Sequence, residues 1–266
     1  MENYLNLTLC YALDKDLFYL IKDLINKGAD IELKNKDGDT ALIKIIKKLN
    51  SDIIDLINTG ADVIEINSIC YGEYFSIIKF LINKGANLNA KDKDGTTSLN
   101  LALKYAYMAN IAKLLINNGA DVNTIDEFGN LALINAAKIG DFEIAKSIID
   151  KNADINLALL ETINYMNRNI KYKYSLNGNI QLKDRLFRLI ELLIENGADL
   201  NACDEKGHTV LMHAISFGDR DIVKYLINHG ANVNSKSKNG GTVLAIALLN
   251  GDKGIKRILL DNGAQY

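Results

Sequence analysis

Proline and tryptophan are absent from the 266 residues, and cysteine and histidine occur three times each. Without proline no helix is opened or stopped by a fixed φ, so its ends depend on caps, glycine and asparagine. The cysteines (Cys10, Cys70, Cys203) are odd in number and far apart, which excludes a disulfide framework and points to a reducing compartment. A cytoplasmic, intracellular protein is expected, with secretion into a host cell left open. A net charge of −2 argues against general attraction to nucleic acid or to an anionic membrane. No window holds the roughly 18 apolar residues of a membrane span. The opening MENYLNLTLCYALDKD lacks the basic start and apolar run of a secretory signal.

What the chain has is repetition. LINKGAD at 24–30 returns as LINTGAD, LINKGAN, LINNGAD, IIDKNAD, LIENGAD, LINHGAN and LLDNGAQ. Marked by their glycine, these fall at 28, 60, 85, 119, 152 (an asparagine), 197, 230 and 263, with steps of 32, 25, 34, 33, 45, 33 and 33 residues. A period near 33 signals a repeat architecture. Ahead of most markers four apolar residues share one helical stripe, such as Leu20, Ile21, Leu24 and Ile25, or Ile222, Val223, Leu226 and Ile227. The glycine after the stripe suits a left-handed C-cap, and Asn152 is its best replacement.

Turns follow most markers: KDGDTAL from Lys36, KDGTTSL from Lys93, EFGNLAL from Glu127, EKGHTVL from Glu205 and KNGGTVL from Lys238. Asp-Gly and Asn-Gly favour tight hairpin turns. Thr40, Thr97, Thr209 and Thr242 stand where the next helix needs an N-cap. On these motifs the chain resembles the ankyrin repeat family, whose pattern is a turn, T-P-L-H-x-A and two antiparallel helices. Here Thr40-Ala41-Leu42-Ile43 and Thr209-Val210-Leu211-Met212 depart from it, without its Pro and His. The resemblance implies an all-α ankyrin-repeat solenoid of about eight helix-turn-helix units with short β-hairpin-like turns, in a curved stack.

The expected units, in one domain over 1–266, are 1–28, 29–60, 61–85, 86–119, 120–152, 153–197, 198–230 and 231–266. In the first, Leu5, Leu7, Leu9 and Leu13 are expected in the core. Units three and six lack the turn signature, which predicts a helix directly after the marker. It also predicts a row of turn tips broken into 36–39, 93–130 and 205–241. Unit six carries an insertion at 165–183, read as a solvated loop.

No phosphate loop or nucleophile motif appears, so no catalytic residue, cofactor or metal is expected, and the protein is not expected to be an enzyme. Cys203, His208, His213 and His229 share unit seven, but C-x4-H-x4-H is not a zinc spacing and the repeat is expected to scatter them. The resemblance implies a monomeric protein-interaction scaffold that binds another protein on its concave face of turn tips and first helices, with no membrane. At the tips the candidate partner-binding residues are Lys36, Asp39, Lys93, Glu127, Phe128, Asn130, Glu205, His208 and Lys238. On the first helices they are Tyr105, Ile139 and Phe217. Large apolar groups at solvent-facing positions anchor interfaces, although they also pack on neighbouring units. The alternative is an anionic ligand, an acidic peptide or nucleic acid, gripped through Arg168, Lys171, Tyr172, Lys173 and Tyr174 of the insertion.

Overall fold

The computed structural model describes residues 2–170 and 178–265. They fall into two compact units, 1–152 and 153–266. The first holds α1 (Glu2–Asp14), α2 (Phe18–Asn26), α3 (Ala41–Asn58), α4 (Val63–Tyr71), α5 (Glu73–Asn83), α6 (Ser98–Ala102), α7 (Ala109–Asn117), α8 (Ala132–Ile139) and α9 (Phe142–Asp150). The second holds α10 (Ile155–Asn169), α11 (Gly178–Glu195), α12 (Val210–Phe217), α13 (Arg220–Asn228), α14 (Val243–Asn250) and α15 (Lys253–Asp261). The described residues contain no strand, only four isolated antiparallel bridges at the turns, such as Lys91 with Thr97 and Cys203 with Thr209. None of the described helices is long and apolar enough to cross a membrane.

The repeated letters do what their physics requires. All seven marker glycines and Asn152 have positive φ, so each second helix ends in the left-handed conformation. Leu24, Leu81, Leu115 and Leu226 are buried. Fully removing such a leucine from water contributes about 2 kcal/mol. Thr97, Thr209 and Thr242 each accept a backbone N–H from three residues on. Thr40 occupies the cap position of α3 without that bond. In α1 the expected core is only half right: Leu9 and Leu13 are buried, but Leu7 is 71% exposed. Positions 9 and 13 share a helical face, and 7 lies across from it.

Successive turns are tied by a bond that recurs with the repeat. The N–H two residues past one marker donates to the side chain four residues past the marker before it. In the first unit Asn87 N reaches Glu32 Oε1 at 2.7 Å, and Asp121 N reaches Asn89 Oδ1 at 2.8 Å. In the second, Asp199, Asn232 and Gln265 use Asn156, Asn201 and Asn234 in the same way. Asp62 stands outside this ladder, because its N–H is taken at 3.2 Å by Glu65 of its own capping box.

The ladder therefore passes from Glu32 straight to Asn87, and segments 29–60 and 61–85 together make one step. The cause is local. In three other repeats a left-handed glycine, Gly140, Gly218 or Gly251, separates the first helix from the second, whereas Leu49-Asn50-Ser51 offers no stop, and α3 runs on for 18 residues. It packs on α6, with Asn50 bonded to Leu101 O, and α5 contacts both α2 and α7. Residues 51–72 thus become a helical detour. This corrects the first of the two expected breaks in the row of tips, between 36–39 and 93. A Cβ on Gly38 would lie 3.8 Å from Lys93 Cβ, and Lys34 Nζ donates to Lys91 O at 3.2 Å. The insertion of unit six also differs from the expected loop: α10 continues to Asn169 and α11 begins at Gly178, so its described part is helix.

Candidate interaction surfaces

Every turn is held by one polar side chain. Asn35, Asp92, Asp126 and Asp204 each accept the N–H groups two and four residues ahead, all between 2.8 and 3.0 Å. Ser237 does half of this, accepting from Gly241 at 3.0 Å. The tips then stack closely: a Cβ on Gly207, whose φ is +77°, would meet Lys238 N at 2.8 Å. What the remaining lone pairs of each turn residue meet differs from turn to turn, and this gives each surface its chemistry.

In the first unit Lys47 of α3 reaches across to the next turn, pairing with Asp39 at 2.7 Å and Asp92 at 2.9 Å. Burial alone would lower the Lys47 pKa, but the two carboxylates raise it. Burial would raise that of Asp92, but the Lys47 and Thr96 bonds hold it below the usual range. Beside this triad lies a cavity of about 350 Å³ lined by Asn50, Ile54, Asp94, Lys104, Tyr105 and Glu127 among others. Asn50 is buried, donates to Leu101 O at 3.1 Å, and leaves Oδ1 without a partner.

A second cavity, of about 420 Å³, shares Lys104, Tyr105 and Glu127 with the first. Its other walls are Phe128, Lys138 and Ile139, with Asp126 and Asn135 below. Three of the apolar residues singled out from sequence, Tyr105, Phe128 and Ile139, therefore come together around one hollow. Phe128 is 76% exposed, and Tyr105 and Ile139 are half-buried. Lys104 and Glu127 pair at 2.7 Å along the shared rim. Burial lowers the pKa of Lys138, against the pull of Asp126 and Glu127.

The remaining candidates divide. Lys36 and Lys93 are exposed, with Lys36 4.0 Å from Asp14. Asp39 and Asn130 are 2% and 5% exposed, so they brace their turns from within instead of standing at the tips. In the second unit Glu205 and Lys238 are exposed and Phe217 is half-buried. Arg168 pairs with Glu161 at 3.3 Å. Lys171, Tyr172, Lys173 and Tyr174 lie outside the described residues.

His208 and His213 are not scattered, contrary to expectation. Asp204 Oδ2 lies 3.1 Å from His213 Nε2 and 3.4 Å from His208 Nδ1, and the two rings meet edge to face at 5.7 Å. Burial lowers the His213 pKa despite the Asp204 carboxylate. His229 instead caps α13 and bonds Tyr225 O. Asp204, next to Cys203, is not among the residues expected from sequence. Turn spacing carried the signal, because Asp126 and Asp204, each holding its turn, meet the side chains four and nine positions on. A third cavity of about 480 Å³, lined by Leu157, Leu160, Glu161, Asn164 and Cys203 to Lys206, opens beside Asp204.

Comparison with known proteins adds the family. The family description "Ankyrin repeats (3 copies)" matches residues 66–158 and 181–266. A putative ankyrin repeat protein, L371, of Acanthamoeba polyphaga mimivirus is 26% identical over 83% of this chain and 29% of its own length. Ankyrin repeat protein OPG189 of Variola virus is 32% identical over 29% of the chain and 16% of its own. E3 ubiquitin-protein ligase XBAT33 of Arabidopsis thaliana is 33% identical over 35% and 16%. The chain thus spans less than a third of these relatives. The crystal structure of the ankyrin repeat domain of Bcl-3, "a unique member of the IkappaB protein family", aligns with a TM-score of 0.64 at 19% identity, over 95% of this chain and 97% of that one.

Proposed function

Because the chain belongs to the ankyrin repeat family, whose repeats generally mediate protein–protein interaction, we propose that it works by binding a partner protein rather than by catalysis. The contact surface is the turn tips and first helices of the first unit. The observation that carries this reading is the hollow ringed by Tyr105, Phe128 and Ile139. Exposed aromatic and aliphatic groups around a concavity are the usual anchors of an interface, and a polar rim supplies register. The Lys104–Glu127 pair and the Lys47 triad form that rim. The Lys104–Glu127 pair is neutral and the Lys47 triad carries one net negative charge, so the partner is held chiefly by an apolar side chain that enters the hollow.

The test is capture by the immobilised full chain from lysate, with cross-linking to locate the contact. Phe128→Ala combined with Ile139→Ser should reduce recovery of a specific partner at least about tenfold, as truncating interface anchors commonly does. Phe217→Ala serves as the control. Recovery indifferent to the first pair and sensitive to the control would move the interface to the second unit and overturn this assignment.

A further inference from the structure

Independently of the partner surface, we infer that Asp204, His208 and His213 form a binding site for a divalent transition-metal ion, with zinc(II) as the expected occupant. The three ligand atoms, a carboxylate oxygen and two imidazole nitrogens, all lie within 4.8 Å of one another. A tetrahedral zinc ion with bonds near 2.0–2.1 Å spaces its ligands about 3.3 Å apart, and Oδ2 already stands 3.1 and 3.4 Å from the two nitrogens. Small side-chain rotations would close the set around an ion. An oxygen and two imidazoles suit zinc, cobalt, nickel or copper rather than magnesium or calcium, which prefer all-oxygen shells.

The site is also pre-organised. Oδ1 of Asp204 is pinned by the N–H groups of Lys206 and His208 at 2.9 and 2.8 Å, so Oδ2 is fixed in direction. His213 sits on α12, whose first turn is capped by Thr209. Asn167 anchors the same helix by donating to His213 O at 3.2 Å. The Glu161 carboxylate acts on the His213 ring and adds negative charge near the ion. The cavity beside Asp204 gives an access path and room for water in the fourth position. Binding would displace the ring protons that otherwise point at Oδ2, and would clamp the turn to the first helix.

The competing account is a hydrogen-bond network without an ion. It is how Asp126 lives: its Oδ2 accepts amide donors from Asn130 at 3.0 Å and Asn135 at 2.9 Å. The test uses the full chain stripped with a chelator and titrated with cobalt(II), then with zinc(II) in competition. One equivalent should bind, with the visible d–d bands of a nitrogen–oxygen site and a rise in thermal midpoint. His208→Asn with His213→Asn reproduces the Asp126 network, so it should fold, and should weaken cobalt binding by roughly a hundredfold. His229→Ala should leave it unchanged. No saturable binding in the parent chain, or binding that survives the double asparagine variant, overturns the site.

Discussion

Asp126 in the first unit and Asp204 in the second occupy the same place in their turns, and they lead to different chemistry. Both carboxylates accept the backbone N–H groups two and four residues on. At Asp126 the residues at +4 and +9 are Asn130 and Asn135, buried side chains whose amide nitrogens donate to the carboxylate and have no lone pair for a metal ion. At Asp204 they are His208 and His213, half-buried rings whose nitrogens can also donate a lone pair to a metal ion. A positive charge is already supplied near Asp126 by Lys138, which donates to Asn135 Oδ1 at 3.1 Å. The scaffold fixes where three side chains meet, and two side-chain choices decide whether the meeting is a brace or a ligand set.

The comparison breaks most visibly in stability. Asp126→Ala should cost about 2–4 kcal/mol, because four donors lose their acceptor and three of them belong to the buried Asn130 and Asn135. Asp204→Ala should cost about 1–2 kcal/mol, since His208 can turn to solvent. Urea midpoints of the two full-length variants measure the gap, and equal losses would mean that the two turns are braced alike.

Grafting is the next largest effect. Asn130→His with Asn135→His should convert the first turn into a second metal site, raising cobalt stoichiometry from one to two. With Lys138 beside it, that site should bind roughly tenfold more weakly than the one at Asp204, as like charges a few ångströms apart imply. A further Lys138→Met should recover the difference. A graft that binds nothing would show that the turn geometry at 204–213 is special rather than shared.

Acid sharpens the contrast within the first unit. Burial alone would raise the pKa values of Asp126 and Glu127, but amide and backbone bonds hold Asp126 down, and Lys104 holds Glu127 down. Folded carboxylates with depressed pKa values contribute stability that is fully present above the unfolded value near 4 and is lost as pH falls through the folded one. Hydrogen exchange in α8 should therefore be flat from pH 7 to about 4.5, once corrected for intrinsic rates, and should accelerate below that. Asp126→Asn should flatten the acid limb while lowering the plateau.

The marker heptad, its left-handed glycines and the buried stripe were legible in the sequence, because each is a local rule that every repeat obeys. The hollow was half legible. Tyr105, Phe128 and Ile139 stood out as apolar residues at exposed positions, but whether they meet depends on packing between turns. Asp39 and Asn130 misled because their positions look like tips, while their side chains turn inward to bond Lys47 and Asp126. The fused step at 29–85 was hidden for the opposite reason. LINTGAD is a sound helix end, and only the missing stop at Leu49-Asn50-Ser51 shows that it ends a detour. The metal set was hidden because C-x4-H-x4-H is not a zinc spacing, and its carboxylate, Asp204, stands one residue past Cys203.

That near miss gives the smallest and most specific effect. Cys70 in the first unit is buried, and desolvation pushes its pKa up to about 11. Cys203 in the second unit is exposed. An aromatic disulfide reagent should label Cys203 at least about a hundredfold faster than Cys70, because only an accessible thiolate attacks. Zinc should leave the Cys203 rate nearly unchanged if the ion is held by Asp204, His208 and His213 alone. A slowing of more than about tenfold would instead mean that the thiolate takes the fourth position, since a coordinated sulfur is a poor nucleophile toward the reagent. The same measurement on the double asparagine variant separates the two cases, because a thiolate without its histidine partners should not hold the ion at all.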